Sequence, residues 1–199
     1  MSETASLVRG GVDADPGAVA QLIVALSCER PQELPSRHLL EDIESVTIGR
    51  GKGRQATRTT AGGLRRLELR VVDAAMSESH ARLTWVHGQW LIEDQKSKHG
   101  SLVNGRAVQR ARLADGDVIE LGATLLVFRD AVAAAPGPAD ANADVLSAAL
   151  PGLRTFSGAL AGAFAGLATA ATTTIPVLVA GETGTGKEVV ARAVHSLSS

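Results

Sequence analysis

The sequence predicts a mainly β chain, a sandwich or barrel, followed by a linker and the opening of an α/β nucleotide-binding segment. Three observations carry this. Short β-type runs separated by turn-rich clusters recur over residues 20–130, the stretch 131–149 is rich in Ala, Pro, Gly and Asp, and a glycine-rich loop between an apolar run and a helical pattern lies near residue 181.

The runs fall at 22–28, 46–48, 64–72, 81–87, 90–93, 118–121 and 124–128. Leu67, Leu69 and Val71 alternate with Glu68 and Arg70, and Leu83, Trp85 and His87 alternate with Arg82, Thr84 and Val86, the pattern of half-buried strands. Cys28, the one cysteine, closes an apolar run and reads as a buried strand residue in a reducing compartment. Trp85 and Trp90 flank the turn of an expected hairpin and read as packing residues. Ala114-Asp115-Gly116-Asp117 places a turn between two further runs.

Residues 1–19 read as a disordered tail, and 131–149 cannot bury enough apolar surface to order themselves, which makes them a linker between two folding units. Beyond it, Phe156, Leu160, Phe164 and Leu167 form one stripe of a helix ending near Thr172. Residues 175–180 read as a short strand, 181–186 as a turn and 187–197 as a second helix.

Charge and composition exclude several classes. Twenty Lys and Arg stand against 21 Asp and Glu, a net charge of −1, so direct nucleic-acid binding is not expected. The uncharged stretch 155–181 is divided by Pro176 and a threonine run and is made largely of Ala, Gly and Thr, so no membrane span is expected. No export signal opens the chain, which fits a cytoplasmic protein. His38, His87, His195 and Cys28 lack ligand-like spacing, and no metal site is assigned.

Three loop segments that follow strands carry chemistry suited to a phosphate dianion: Gly49-Arg50, Ser77-Glu78-Ser79-His80, and the stretch from Lys98 and His99 to Asn104-Gly105. A guanidinium fork, hydroxyl donors and an ammonium are what such an anion recruits, and Arg50, Ser77 and Lys98 supply them. In this order and spacing the segments resemble the forkhead-associated family over about residues 20–130. The resemblance implies an antiparallel β-sandwich that binds phosphothreonine in a partner protein. Arg50 and Ser77 would contact phosphate with Lys98 or His99 assisting, while Gly49, His80, Asn104 and Gly105 hold the loops. This chain departs from the family at Glu78 and Ser79, where a basic residue is usual, and at His99-Gly100-Ser101, where Asn-Gly-Thr is usual.

Gly181-Glu182-Thr183-Gly184-Thr185-Gly186-Lys187 satisfies the phosphate-loop spacing, with an apolar run before it and a helix after it. Its glycines let backbone N–H groups turn toward a phosphate, the helix N-terminus adds a positive end, and Lys187 reaches the β and γ phosphates. ATP, accompanied by magnesium, is the expected cofactor. Glu188 stands where Ser or Thr would hold magnesium. With Glu188 in place, residues 150–199 resemble the AAA+ segment of bacterial sigma-54-dependent transcription activators. In their full-length context these engage RNA polymerase carrying sigma-54. No later strand ending in Asp-Glu and no arginine finger follows in this sequence, so catalytic residues are not assigned and hydrolysis by this chain is not expected. The reading is a phosphothreonine sensor joined to an ATP-binding segment of a transcription regulator. The alternative is a stand-alone phosphopeptide adapter with a vestigial loop.

Overall fold

The computed structural model describes residues 18–133, 137–146 and 148–198, in two compact units, Met1–Asp140 and Ala141–Ser199. The tail expected over 1–19 lies outside the described residues except for Ala18 and Val19, which open the first strand.

The first unit packs two sheets face to face. Its strands are β1 (Ala18–Ser27), β2 (Ser36–Leu39), β3 (Ser45–Arg50), β4 (Gln55–Ala61), β5 (Leu64–Val71), β6 (Ala81–Val86), β7 (Gln89–Asp94), β8 (Ser101–Val103), β9 (Arg106–Val108), β10 (Arg110–Arg112), β11 (Val118–Leu121) and β12 (Thr124–Ala133), and β13 (Asp140–Asn142) begins at its last residue. One sheet runs β13-β2-β1-β12-β11-β8-β9 and the other β10-β7-β6-β3-β5-β4. β3 lies parallel to β5 and antiparallel to β6. This is the antiparallel sandwich that the alternating runs predict.

Alternation explains the core. Leu22 and Val24 of β1, Val46 and Ile48 of β3, Leu67 and Leu69 of β5, Leu83 of β6, Ile92 of β7, Ile119 and Leu121 of β11, and Leu126 and Phe128 of β12 are all buried. Each contributes about 1.5–3 kcal/mol by leaving water. Trp85 and Trp90 face each other across the β6–β7 hairpin with ring centroids 5.6 Å apart, so they are packing residues.

Cys28, expected to be buried, and His87, where the alternating run meets the expected hairpin turn, both lie outside the core. Cys28 is exposed: register shifts in β1 between Val24 and Leu26 break the alternation, Ser27 takes the buried position, and Cys28 follows in a turn with its N–H on the Ala123 carbonyl. His87 is exposed because it begins the two-residue turn of the hairpin, with φ 48°, the positive value that a tight turn between twisted strands requires.

The stretch that composition assigns to a linker is partly built into the sandwich. β12 continues to Ala133, past Asp130. Asp140 then receives Nδ1 of His38 at 2.8 Å and Nε and Nη2 of Arg58 at 2.7 and 2.9 Å. Arg58 also donates to the Leu39 carbonyl at 2.8 Å. Burial opposes ionisation of Asp140, but the hydrogen bonds from His38 and Arg58 outweigh it and hold the carboxyl well below the usual carboxylate range. Composition misses this because the ordering comes from strand pairing with β1, from the Ala139 carbonyl that accepts from Leu39 N, and from one ion-paired carboxylate, none of which apolar content signals.

The second unit contains helices α1 (Gly158–Ala171) and α2 (Lys187–His195). Ser157 caps α1, its hydroxyl accepting from Leu160 N, and the helix stops at Thr172 as the stripe predicts. The stripe itself is incompletely covered, with Leu160 half exposed. Residues 175–180 form no strand, contrary to the sequence expectation, and Leu178 is 91% exposed. A strand needs a hydrogen-bonded neighbour, and no β-strand lies beyond Asn142 among the described residues. No helix among the described residues is long and apolar enough to cross a membrane.

Candidate functional site

Loops after β3, β5 and β7 converge at one rim of the sandwich. Arg50 is the last residue of β3; its N–H donates to the Ser77 carbonyl at 2.9 Å and its side chain is exposed. The Ser77 hydroxyl accepts from Lys98 N at 3.0 Å, which leaves its own hydrogen free to donate outward. Arg50 and Lys98, 48 positions apart in sequence, are thus each one backbone hydrogen bond from the same serine. Lys98 and His99 are exposed neighbours on the β7–β8 loop.

His80 ties this rim together. Its buried imidazole accepts from Ser77 N at Nδ1, 3.0 Å, so the ring hydrogen belongs on Nε2, which donates to the Gly100 carbonyl at 2.9 Å. The His80 backbone donates to Ile48 O and accepts from Gln95 N, so one residue fastens β3, the Ser77 loop and the Lys98 loop. Gly49 allows the close approach: a Cβ there would stand 1.8 Å from the Glu78 carbonyl oxygen. Asn104 and Gly105 make the two-residue β8–β9 turn, both with positive φ, and Asn104 bridges to the next loop by donating to Asp117 Oδ1 at 2.7 Å and accepting from Val118 N at 3.0 Å.

Sequence reasoning missed three supporting residues. Asp94 receives Ser97 N, Ser97 Oγ and Ser101 Oγ at 2.9, 2.6 and 2.7 Å; burial opposes its ionisation, yet these bonds outweigh it and lower its pKa. The Asp-x-x-Ser spacing was the available signal. Asp73, also buried, braces the start of the Ser77 loop by accepting from Ala75 N, Met76 N, Ala123 N and Thr124 Oγ1. Arg70 donates to the carbonyls of Arg50 and Glu78, a role with no local sequence signature.

In the second unit, Gly181 to Gly186 form an exposed loop that ends at the first turn of α2. Gly186 occupies the N-cap with φ 80°, a left-handed conformation that disfavours any side chain. Lys187 folds back over the loop, its Nζ donating to the carbonyls of Gly181 at 2.8 Å and Glu182 at 2.5 Å, and Thr185 Oγ1 donates to Glu182 O at 2.8 Å. Glu188 is exposed and pairs with Arg192 one turn on. A loop of glycines, a helix N-terminus and an ammonium already drawn to its centre is a donor set that fits a polyphosphate.

Comparisons with known proteins match these two constellations separately. A family model for the FHA domain matches residues 46–122, and one for the Sigma-54 interaction domain matches 153–199. An FHA domain-containing protein of Arabidopsis thaliana is 40% identical over 58 residues, which span 28% of this chain and 15% of that protein. The FHA domain-containing protein FhaA of Mycobacterium tuberculosis is 37% identical over 62 residues, 31% of this chain and 12% of that one. A solved structure from work on phosphothreonine-dependent FHA domain interactions is 28% identical with a TM-score of 0.40, covering 56% of this chain and 95% of its own. The FhaA FHA domain crystallised with the intracellular domain of Rv3910 is 28% identical with a TM-score of 0.39, covering 55% of this chain and 99% of its own. The chain carries a forkhead-associated domain followed by a segment of the sigma-54 interaction domain family.

Proposed function

We propose that this chain belongs to a cytoplasmic sigma-54-dependent transcription regulator, in which phosphothreonine sensing by the first unit is coupled to ATP binding by the second. The observation that carries the sensing half is the convergence of Arg50 and Lys98 on Ser77. Arg50 offers a fork of N–H donors to the phosphate oxygens, Ser77 a hydroxyl, and Lys98 a mobile ammonium, with His99 as a further donor beside it. Gly49, His80, Asn104 and Gly105 hold the loops that present them.

For the second unit, residues 181–188 would hold the phosphates of ATP, and magnesium would arrive with the nucleotide. Bound ATP supplies the negative charge that the loop is built to neutralise. Lys187 would exchange its two carbonyl partners for phosphate oxygens. RNA polymerase carrying sigma-54 is the partner in the full-length context, and direct nucleic-acid binding has no role.

The sensing half is tested by titrating the chain with a degenerate phosphothreonine-centred peptide library and its unphosphorylated twin. Preference for the phosphorylated form is expected, and Arg50→Ala should remove about 1.5–3 kcal/mol of it, the worth of charge-assisted hydrogen bonds. Equal affinity for both libraries would refute sensing. For the ATP half, Lys187→Ala should weaken binding of a non-hydrolysable ATP analogue with magnesium; equal binding by both proteins would refute it.

A further inference from the structure

The Gly49-Arg50-Gly51 segment leaves one side of the β3 end bare, because residues 49 and 51 point the same way and carry no side chain. Arg70 fills that strip. It stands opposite Gly49 in the parallel β3–β5 pair, between the inward-facing Leu69 and Val71, so its side chain lies on the outer face. A Cβ on Gly49 would come within 3.2 Å of Arg70 Nη1, and one on Gly51 within 2.7 Å of Arg70 Cβ. The two glycines therefore make room for this arginine as well as for the Ser77 loop.

Four of the five guanidinium N–H donors are committed to support. Nη1 donates to the Arg50 carbonyl at 3.2 Å and the Glu78 carbonyl at 2.5 Å. Nε donates to Glu68 Oε1 at 2.8 Å, and Nη2 pairs with the same oxygen. One nitrogen thus joins the residue carrying the candidate phosphate fork to the residue next to Ser77, while Glu68 fixes the plane of the guanidinium. An ammonium lacks this planar fork and cannot hold both carbonyls and the carboxylate in one geometry.

We propose that Arg70 is a positioning residue of the phosphothreonine site, clamping the Arg50 and Glu78 carbonyls so that the Arg50 side chain and the Ser77 hydroxyl are presented at a fixed separation. The inference rests on the phosphothreonine reading above. Its benefit is preorganisation: a rim already ordered loses less freedom when peptide arrives. Glu78 contributes its main-chain carbonyl to the frame, and its side chain stays exposed.

The test uses the whole chain, the two peptide libraries named above, and the variants Arg70→Gln, Arg70→Lys and Glu68→Gln. Loss of the clamp should weaken phosphopeptide binding about tenfold in Arg70→Gln, with partial rescue by Arg70→Lys and a loss of about threefold in Glu68→Gln. The melting temperature should move little, and amide exchange at Arg50 and Lys98 should quicken in step with the affinity loss. Unchanged affinity in Arg70→Gln, with wild type still preferring the phosphorylated library, would overturn the clamp and leave the sensor standing. A fall in affinity matched by a fall in melting temperature, with Glu68→Gln unaffected, would assign Arg70 to stability alone and also overturn it. No preference by wild type would remove the sensor reading, and the clamp with it.

Discussion

Gly49→Ala is a one-methyl perturbation whose cost can be worked from the structure. The added Cβ would lie 1.8 Å from the Glu78 carbonyl oxygen and 2.7 Å from its carbon, against a closest tolerated approach of 3.0 Å. The obstacle is backbone, so the Ser77 loop must retreat by at least 1.2 Å. Two hydrogen bonds cross that gap at 2.9 Å, Arg50 N to Ser77 O and His80 N to Ile48 O, and both would stretch beyond a useful length. Each is worth about 1 kcal/mol net, with more lost where a buried donor is left unpaired, so destabilisation of about 2–4 kcal/mol is expected. Urea denaturation with the slope held fixed measures it. Gly51→Ala serves as the comparison: its nearest neighbour is the Arg70 side chain, and a cost of about 1–2 kcal/mol is expected. A Gly49→Ala protein within about 0.5 kcal/mol of wild type would refute the claim that loop and strand are held at contact distance.

Two further outcomes follow from the sandwich. Asp140 titrates below its unfolded value, so its stabilisation is fully present above about pH 4 and is lost as pH falls toward its folded pKa; Asp140→Asn should cost about 1–2 kcal/mol at pH 7, discounted for its partial exposure, and should flatten stability between pH 4 and 2. An equally steep acid limb in that variant would place the titration elsewhere. Cys28 should react with a thiol reagent under native conditions at a rate close to that of the denatured chain, and strong protection would contradict its exposed turn position.

Where an element buries alternate side chains, sequence and structure agree. β11 occupies 118–121 as read, and β5 alternates Leu67, Leu69 and Val71 inward. The missed strands lack that signal. β8, β9 and β10 have three residues each, too few to establish a period, and β4 is an edge strand of mostly exposed threonines and arginine. Cys28 departs from its expected burial because a bulge interrupts a period that sequence continues by default, whereas His87 sits in the hairpin turn expected between Trp85 and Trp90. At residues 175–180 the period was suitable but a neighbouring strand was wanting.

The site divides in the same way. Arg50, Ser77, His80 and Lys98 stand in short motifs and could be named from spacing; the structure brings their loops together through Ser77 and His80. Arg70 and Asp73 act on backbone groups supplied by distant loops, and such partners leave no mark beside them in the chain. Charge alone was silent about Glu78, whose contribution is its main-chain oxygen.

The tilted pair of Trp85 and Trp90 has a practical consequence for anyone following this molecule by optics. The chain has no other tryptophan and no tyrosine, so emission and dichroism in the tryptophan band report on a single hairpin of the first unit. The two helices of the second unit hold no tryptophan, are silent in that band and contribute to the amide signal. A tryptophan melting curve therefore follows the first unit alone while the amide curve sums both, and an amide transition without a tryptophan counterpart would time the second unit separately.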